Sequence, residues 1–402
     1  MKIAVIIPQN KFFGGGPRLA IESAKEFSNQ GHKPVIYTFQ HGEDAYGYKK
    51  LLGNIPVITL DPSFPKKPKP LFGRPVRGFS ELSQYFFDHK RTRALAEKIS
   101  KDTEAILAHS NRSAYLVGYY FKRKVRNIPL VFQMNDVHLL AISKCRGKSR
   151  CSFAQSILYK VIDFFDSFLY FRHVDSISVL SEIIRKEALE YLGRNARVIR
   201  SGVNAEHFPY KERHSAPRSA KLLCHAQFFR HRRYEDAINA LKILRDNGYD
   251  CTLTISGDSE TYAAYRSYRD ELKSQAAHLN IAEYVSFPGK LPDEKIVELF
   301  HESDIFICPH HQQSWGLVVF EAIASGLPAI VSKETGAHEV LTDSTNSILI
   351  PAREPRSIYE AVKKLIDNPD IYQTISRSGV NFVRHEMTWR RYADDIIKLF
   401  KT

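Results

Sequence analysis

One strand-to-helix junction in the second half of the chain carries residues that could bind a nucleotide. The apolar run Ile305–Cys308 predicts a buried parallel strand, and a helix is predicted to begin at Gly316 and to end at Gly326. The N–H groups at the start of such a helix bind phosphate at the carboxyl edge of a sheet. Glu321 lies about one turn and a half into the helix, where its carboxylate could accept hydrogen bonds from the hydroxyls of a ribose.

A second junction of the same kind is rich in arginine. An apolar run begins at Leu222, and Arg230, Arg232 and Arg233 follow it before the next predicted helix. Arginines in a strand-to-helix loop are suited to bidentate binding of phosphate. The alternative is solvated surface charge, which is weighted lower because this loop is expected at the same edge as Gly316.

The first junction resembles the signature of the family-four (group 1) retaining glycosyltransferases, which have the GT-B fold. Their pattern is Pro, then Glu-x-Phe-Gly, a second Glu, and a small-residue helix end with Gly-x-Pro. The matching positions are Trp315 in place of Phe, Gly316, Glu321, Gly326 and Pro328. In the family the second Glu holds the nucleotide ribose and the first contacts the transferred sugar. Gln313 stands in the place of that first Glu.

The resemblance extends over nearly the whole chain and implies an α/β fold. We expect two doubly wound Rossmann-like domains that face each other across a cleft. The N-terminal, acceptor-side domain is predicted at residues 1–200, and the nucleotide-sugar-binding domain at residues 201–385. A final helix within residues 386–402 is expected to pack back on the first domain. The alternation of apolar runs with helix-period segments agrees with this arrangement.

The resemblance also implies a set of donor-binding residues. Gly14–Gly16 match the N-terminal glycine loop that faces the donor phosphates, and Lys290 and Leu291 lie in the turn that holds the nucleobase. Gln227 and Arg232 stand where the family has the Arg and Lys that neutralise the leaving pyrophosphate. The predicted donor set is Gly14, Gly15, Gly16, Gln227, Arg230, Lys290, Leu291, Gly316, Leu317, Val318 and Glu321.

The catalytic set implied by the resemblance is Arg232, Gln313, Asn135 and Asp136. Asn135-Asp136 follow an apolar run where the family often has His-Asp or His-Thr. His109 and His138, each at or near the end of a predicted strand, are expected on the acceptor side. The chain has no convincing Asp-x-Asp motif, so no metal is expected, and the nucleotide-sugar acts as a substrate, with no separate cofactor expected.

The charge of the 402-residue chain is uneven. Residues 1–200 hold 33 basic and 17 acidic side chains, a net of +16, whereas the remaining residues hold 25 and 27, a net of −2. The basic excess is concentrated in Lys66–Arg77 and Lys144–Arg150. Such a surface attracts anionic lipid headgroups, a phosphate-bearing acceptor or nucleic acid. No recognition motif supports nucleic acid, so the first two partners are favoured.

Two aromatic helices are predicted in the basic half. One begins near Glu81 and carries Tyr85, Phe86 and Phe87 beside basic residues, and the other covers Phe153–Phe171. Their aromatic side chains either belong to the core or form a face that contacts a membrane or a partner. The sequence leaves both alternatives open.

The cysteines and the hydropathy pattern indicate a cytoplasmic protein. Cys224, Cys251 and Cys308 lie in apolar strand contexts typical of reduced core thiols, while Cys145 and Cys151 lack a metal-site spacing. No run of about 18 apolar residues occurs, so no membrane-spanning helix is expected. The basic half favours a peripheral position on the inner face of the membrane.

The function that the resemblance implies is transfer of a sugar from a nucleotide-sugar to a glycan, a lipid-linked acceptor or another acceptor of the cell envelope, with retention of configuration. One alternative is a nucleotide-sugar epimerase on the same fold, which needs a carboxylate or His pair at the sugar carbon. Another is a non-catalytic member that binds a partner protein, an alternative suggested by Gln313, Gln227 and Asn135.

Overall fold

The computed structural model describes residues 1–8, 15–39, 51–60, 64, 79–125, 127–136 and 153–401. The chain forms two compact units. Unit 1 comprises Met1–Arg200 and Arg390–Thr402, and unit 2 comprises Ser201–Trp389. Several predicted features fall outside the described residues: Gly14, His138, Cys145, Cys151, the segment Lys66–Arg77 and the segment Lys144–Arg150.

Within the described residues, unit 1 contains a seven-stranded parallel sheet of order β3-β2-β1-β4-β5-β6-β7. Its strands are β1 (Lys2–Ile6), β2 (Lys33–Thr38), β3 (Val57–Thr59), β4 (Ala105–His109), β5 (Leu130–Met134), β6 (Ser176–Val179) and β7 (Arg197–Val198). Its helices up to Arg200 are α1 (Gly15–Asn29), α2 (Phe79–Glu97), α3 (Arg112–Lys122), α4 (Phe153–Leu169) and α5 (Glu182–Leu192).

Unit 2, whose residues are all described, contains a six-stranded parallel sheet of order β10-β9-β8-β11-β12-β13. Its strands are β8 (Lys221–His225), β9 (Thr252–Ser256), β10 (Val285–Gly289), β11 (Ile305–Cys308), β12 (Ala329–Ser332) and β13 (Ile348–Ile350). Its helices are α6 (Tyr234–Asp246), α7 (Ala263–His278), α8 (Asp293–Glu302), α9 (Leu317–Ala324), α10 (Pro355–Asp367) and α11 (Pro369–Glu386).

In each sheet the strand order reverses beside the first strand of its unit. The reversal lies between β1 and β4 in unit 1 and between β8 and β11 in unit 2. At such a point the loops that leave the two carboxyl ends run to opposite faces of the sheet and open a crevice, where ligands bind in folds of this class. The topology therefore indicates two loop clusters as candidate ligand sites, one in each unit.

The last helix, α12 (Trp389–Phe400), contributes to unit 1. The hydroxyl of the fully buried Tyr392 donates to Gln133 Oε1 at 3.0 Å, and Gln30 Nε2 donates to Asp394 Oδ1 at 3.0 Å. Helix α12 thus bonds both to β5 and to the residue directly after α1, although unit 2 intervenes in sequence. The unit boundary falls between Trp389 and Arg390, a few residues after the predicted residue 386.

Helix α4 lies against unit 1 with its acidic side inward. Asp166 is buried and accepts hydrogen bonds from the Arg112 guanidinium (Nη2 to Oδ1 2.8 Å) and from Tyr85 Oη at 3.0 Å. Arg112 also contacts His89, whose pKa falls to about 4 because the ring is buried and the Arg112 charge is near. This cluster joins α2, α3 and α4, and its polar groups satisfy each other.

The aromatic residues of the two predicted helices do not share one environment. On α2, Phe86 is exposed, whereas Phe87 packs against Phe64 and lies under Arg91. On α4, all four phenylalanines are exposed. No helix within the described residues is both long enough and apolar enough to cross a membrane. The three cysteines of unit 2 are buried free thiols, as predicted.

We predict that Arg112→Ala strongly destabilises unit 1. The substitution leaves the Asp166 carboxylate buried without its cation, and breaking a buried pair in this way costs about 3–5 kcal/mol. Urea unfolding followed by far-UV circular dichroism measures the loss. The matched control is Arg93→Ala, because Arg93 is an exposed arginine of α2 that pairs with Glu97 on the same helix. This substitution should change stability by less than about 0.5 kcal/mol. Equal effects of the two variants would contradict the prediction.

Candidate functional site

The loop after β8 holds the predicted arginines in unit 2. It runs from Gln227 through a 3-10 turn at Arg230–Arg232 to Arg233, which has φ of 55° and directly precedes α6. Left-handed backbone is uncommon for a residue other than glycine, so the turn has a defined shape that aims successive arginines in different directions.

Two of the three arginines in this loop have carboxylate partners on helices. The Arg230 guanidinium pairs with Glu271 of α7. Arg233 pairs with Asp236 at 2.7 Å and with Glu235 at 2.8 Å, both in the first turn of α6. These contacts keep Arg233 at the start of α6 and direct Arg230 toward α7.

Arg232 is the arginine that contacts the loop after β11. Its Nη1 donates to His310 Nδ1 at 3.1 Å. Since β8 and β11 are adjacent strands, this hydrogen bond joins the two loops that leave the point of strand-order reversal. The predicted catalytic residues Arg232 and Gln313 are therefore brought into one cluster.

His310 is the centre of this cluster, and the sequence analysis did not single it out. Its side chain is buried, and Nδ1 lies 3.3 Å from Cys308 Sγ and contacts Gln313 Oε1. Burial and the adjacent Arg232 charge hold the pKa of His310 well below its ordinary value. The ring is therefore neutral near pH 7 and can accept the Arg232 hydrogen bond. Its place two residues after β11 is the sequence signal that could have indicated it.

The loop that carries Gln313 is fixed by its backbone. Gln313 N donates to Glu334 O at 3.1 Å, and Gly336 N donates to Gln313 O at 2.9 Å. Gly316 has φ of 104°, and a Cβ at this position would lie 2.9 Å from Thr335 Cγ2. A side chain at residue 316 is therefore excluded both by backbone strain and by contact. The segment around Thr335 thus sets the position of the whole loop between β11 and α9, residues 309–316, which we call the signature loop.

Helix α9 begins directly after Gly316, which is its N-cap, so the amides of residues 316–318 form its N-terminal end. Glu321 lies within the helix and is buried. Trp315 Nε1 donates to Ser201 Oγ at 2.9 Å, and its ring packs against Phe320 at a centroid distance of 5.0 Å. These contacts also hold the start of the helix in place. A helix N-terminus so placed can bind phosphate.

A second histidine lies in the signature loop. His311 contacts Glu334 through Nδ1 and Arg353 through Nε2. Its backbone N donates to His231 O at 2.7 Å, a bond that connects the loop to the arginine turn. These residues were not predicted, because their relation depends on loops that are distant in sequence.

The remaining donor-side predictions lie at neighbouring strand ends. Lys290 is exposed and Leu291 half-buried, just after β10. β10 ends beside β9, where Gly257 N donates to Gly289 O at 3.0 Å. Gln227 is half-buried after β8, and its carbonyl accepts from Phe229 N at 2.8 Å. All three residues thus follow strands of the same sheet at its carboxyl edge.

In unit 1, Gly16 after β1 lies close to Ser110 after β4 and to Asn135 after β5. Asn135 Nδ2 donates to Ser110 Oγ at 2.8 Å, and a Cβ on Gly16 would lie 3.0 Å from that oxygen. Asn135 Oδ1 accepts from Gln133 Nε2 at 3.3 Å. Gly15 and Asp136 are exposed on either side. A small polar cluster therefore lies at the start of α1.

His109 does not lie where an acceptor could touch it. The side chain is completely buried, and neither ring nitrogen has a hydrogen-bond partner within the described residues. Burial lowers the pKa of His109 to about 3. The prediction that His109 contacts the acceptor does not fit this position, since β4 ends below the surface and Ser110 is the first half-buried residue after it.

The described residues contain no group of three or more His, Cys, Asp or Glu side chains arranged to hold a metal ion.

Comparison with protein families assigns both halves of the chain. Residues 13–207 match the family described as Glycosyltransferase Family 4, and residues 209–381 match Glycosyl transferases group 1. Among curated proteins, a glycogen synthase of Mycobacterium tuberculosis is 27% identical over 225 residues, 55% of this chain and 53% of that protein. A phosphatidyl-myo-inositol mannosyltransferase of Mycobacterium leprae is 24% identical over 56% of this chain and 58% of its own length. The matches thus span about half of these relatives.

Solved structures share the fold over the whole chain. The Anabaena protein HepE, whose structure was determined in complex with UDP and glucose, matches with a TM-score of 0.74 at 17% identity. The match covers 100% of this chain and 100% of that one. Sucrose-phosphate synthase from Thermosynechococcus elongatus has a TM-score of 0.72 at 15% identity, with 100% of this chain and 98% of that one covered. The predicted GT-B fold is therefore confirmed.

We predict that the burial of His109 lowers the stability of the folded protein in acid. The pKa of His109 is about 3 in the folded protein and about 6.5 in an unfolded chain, so the unfolded state binds the extra proton between these values. Stability is then complete above pH 6.5 and falls as the pH drops toward 3, by up to about 1.4 kcal/mol per pH unit for this residue.

The free energy of unfolding at pH 6 and pH 4.5 tests this. His109→Leu should reduce the loss between these two pH values, whereas His385→Gln, at an exposed histidine of α11, should leave it unchanged. A loss that is identical in all three proteins would show that His109 is not responsible.

Proposed function

Because the chain belongs to the family 4, group 1 glycosyltransferases, we propose that it transfers a sugar from a nucleotide-sugar to a glycan, a lipid-linked acceptor or another cell-envelope acceptor, with retention of configuration. The observation that carries this proposal is the Arg232–His310 hydrogen bond. It places one guanidinium beside the signature loop that leads into α9, so that a cation and a helix N-terminus lie near the same strand ends, β8 and β11.

The donor is proposed to bind in unit 2. The ribose hydroxyls donate to the Glu321 carboxylate, and the leaving phosphates accept from Arg232 and from the amides of Gly316, Leu317 and Val318. A structure of HepE contains UDP and glucose, and another contains UDP-glucose, which supports a uridine diphosphate sugar as the first donor to test.

In the proposed reaction, the bond between the anomeric carbon and the phosphate oxygen breaks, and the acceptor oxygen forms the new bond on the same face. The acceptor proton passes to the leaving phosphate, so a side-chain base is not required. Negative charge grows on that phosphate in the transition state, where a fixed guanidinium and oriented amides stabilise it most.

Gln313 is proposed to contact the sugar. An amide both donates and accepts hydrogen bonds but offers no charge to stabilise a positive sugar ring. The neutral His310 contacts this amide within the buried cluster and so limits its orientation. A deoxy or otherwise modified sugar is the donor that best suits an amide at this position.

The acceptor is proposed to approach unit 1, where Asn135 and Asp136 follow β5 beside Gly16. The net charge of +16 over residues 1–200 supports an anionic acceptor or an anionic membrane surface on the cytoplasmic side. The name of the Mycobacterium leprae relative, a phosphatidyl-myo-inositol mannosyltransferase, supports a lipid-linked acceptor.

A second candidate is a non-catalytic member of the family that binds a partner protein. The observation that favours it is the amide side chain at three positions, Gln227, Gln313 and Asn135, where the family has charged or titratable groups. Such a protein would still bind a nucleotide but would not consume a donor.

A nucleotide-binding titration combined with a donor panel tests the function. We expect Glu321→Ala to weaken binding of the preferred nucleoside diphosphate by about 1.5–3 kcal/mol for each hydrogen bond lost to the carboxylate. Glu360→Ala, at an exposed residue of α10, is the control and should bind normally. Wild-type protein that binds a nucleotide but releases none from any nucleotide-sugar would support the non-catalytic candidate, and binding of no nucleotide would overturn both.

We predict that Arg232→Ala lowers kcat by about 10²-fold, with a smaller change in donor KM, because the cation acts mainly on charge that develops in the transition state. Steady-state kinetics with the identified donor measures both constants. Arg230→Ala is the matched control in the same turn, since its guanidinium pairs with Glu271. If Arg230→Ala lowers kcat more than Arg232→Ala, the assignment of Arg232 is wrong.

A further inference from the structure

Helix α4 presents a continuous apolar stripe to the outside of unit 1. Phe153 is 83% exposed and Phe164 66% exposed. The exposed large apolar residues of α4 share the spacing of one helix face, and they are Phe153, Ile157, Val161, Phe164, Phe165, Phe168 and Leu169. From Phe153 to Leu169 the stripe is about 24 Å long. A folded protein rarely exposes such a stripe unless something covers it.

The outward direction of the stripe is fixed by the opposite side of the helix. The two acidic residues of α4, Asp163 and Asp166, are both buried. Asp166 bonds to Arg112, Tyr85 and Tyr115 of neighbouring helices. Turning α4 to bury its phenylalanines would expose Asp166 and leave Arg112 without its carboxylate. The usual orientation of a surface helix is therefore reversed here.

Two exposed basic residues lie on or just after α4. Lys160 is exposed within α4, and the guanidinium of the exposed Arg172 lies 5.0 Å from the Phe168 ring centroid. In sequence, the segment Lys144–Arg150 contains four cations and is separated from the first residue of α4 by two residues. Since both acidic residues of α4 are buried, the helix exposes no carboxylate. An apolar face beside basic residues is the composition of helices that lie in a membrane interface.

We propose that the apolar stripe of α4 inserts into the headgroup–acyl boundary of an anionic lipid bilayer, with the helix parallel to the membrane plane. The phenylalanine rings enter the apolar region, while Lys160 and Arg172 contact the phosphates of the headgroups. The proposed function includes an anionic membrane surface, and this proposal names α4 as the element that binds it. The proposal rests on that function only for the biological reason to bind a membrane. Vesicle binding itself requires no nucleotide.

The alternative occupant of the stripe is a second copy of the chain. A two-fold contact through α4 would bring Lys160 and Arg172 of both copies together, along with two basic halves of net charge +16 each. An anionic bilayer complements this charge, whereas a second copy repeats it. The charge distribution therefore favours lipid.

The experiment is co-sedimentation of the full chain with vesicles of phosphatidylcholine and phosphatidylglycerol, compared with vesicles of phosphatidylcholine alone. We expect Phe164→Ser/Phe168→Ser to weaken binding to the anionic vesicles by at least about tenfold, because two large apolar groups no longer leave water. Leu189→Ser is the matched control, since Leu189 is an exposed apolar residue of α5 in the same unit and should bind as the wild type does.

A fluorescent variant tests insertion directly. Both natural tryptophans, Trp315 and Trp389, are buried in unit 2, so Phe164→Trp adds the exposed indole. Its emission should shift to shorter wavelength with anionic vesicles, and a Leu189→Trp control should not shift. Full binding by the double serine variant, or no shift in Phe164→Trp, would overturn the insertion. A wild-type dimer in lipid-free solution that the serine variant abolishes would assign the stripe to a second copy.

These outcomes are independent of the nucleotide site. Circular dichroism establishes that the serine variants are folded, and nucleotide titration should give the wild-type affinity for all of them. Loss of vesicle binding with intact nucleotide binding supports the stripe. Absence of nucleotide binding in the wild type defeats the proposed function without altering the vesicle result.

Discussion

The site in unit 2 depends on a cation placed next to a histidine that stays neutral. His310 can accept the Arg232 hydrogen bond only while Nδ1 has a free lone pair, and burial together with the Arg232 charge keeps it in that state. Protonation would set two positive charges against each other within a buried cluster. The arginine turn and the loop after β11 are joined by this contact and by the hydrogen bond from His311 N to His231 O, so a proton on the His310 ring would oppose the first of these two links.

Unit 1 also contains a largely buried arginine, Arg112, but its partner is a carboxylate. Its buried Asp166 accepts hydrogen bonds from Arg112, and Tyr85 and Tyr115 supply the additional hydrogen bonds that a buried carboxylate needs. Replacing such a pair by an apolar core of the same volume is often neutral or stabilising, whereas the hydrogen bonds of Asp166 favour the rotation of α4 that keeps Asp166 facing Arg112. This cluster orients α4, and the apolar stripe on the opposite face of the helix is therefore exposed.

The sequence predicted the parts of this structure that depend on local pattern. The run Ile305–Cys308 is β11 with the same bounds, and Gly316 is required by its φ and by Thr335. The roles that depend on distant partners could not be predicted. Arg230 is distinguished from Arg232 by Glu271, on another helix, and the importance of His310 follows from burial that no local pattern reveals. Helical periodicity identified α4, but which of its faces meets the core was decided by Arg112 and Asp166.

The reversed helix has a consequence for how unit 1 would search for an acceptor. A protein held at one point on a surface turns freely about that point, whereas a 17-residue helix lying along the surface restricts it to translation and to rotation in the plane. If the acceptor is confined to the same bilayer, the encounter becomes a two-dimensional search between partners of fixed orientation, and the local concentration rises without any additional contact. Proximity would then be set by the geometry of one helix, and the loops of unit 1 that we propose to bind the acceptor could work with weak intrinsic affinity.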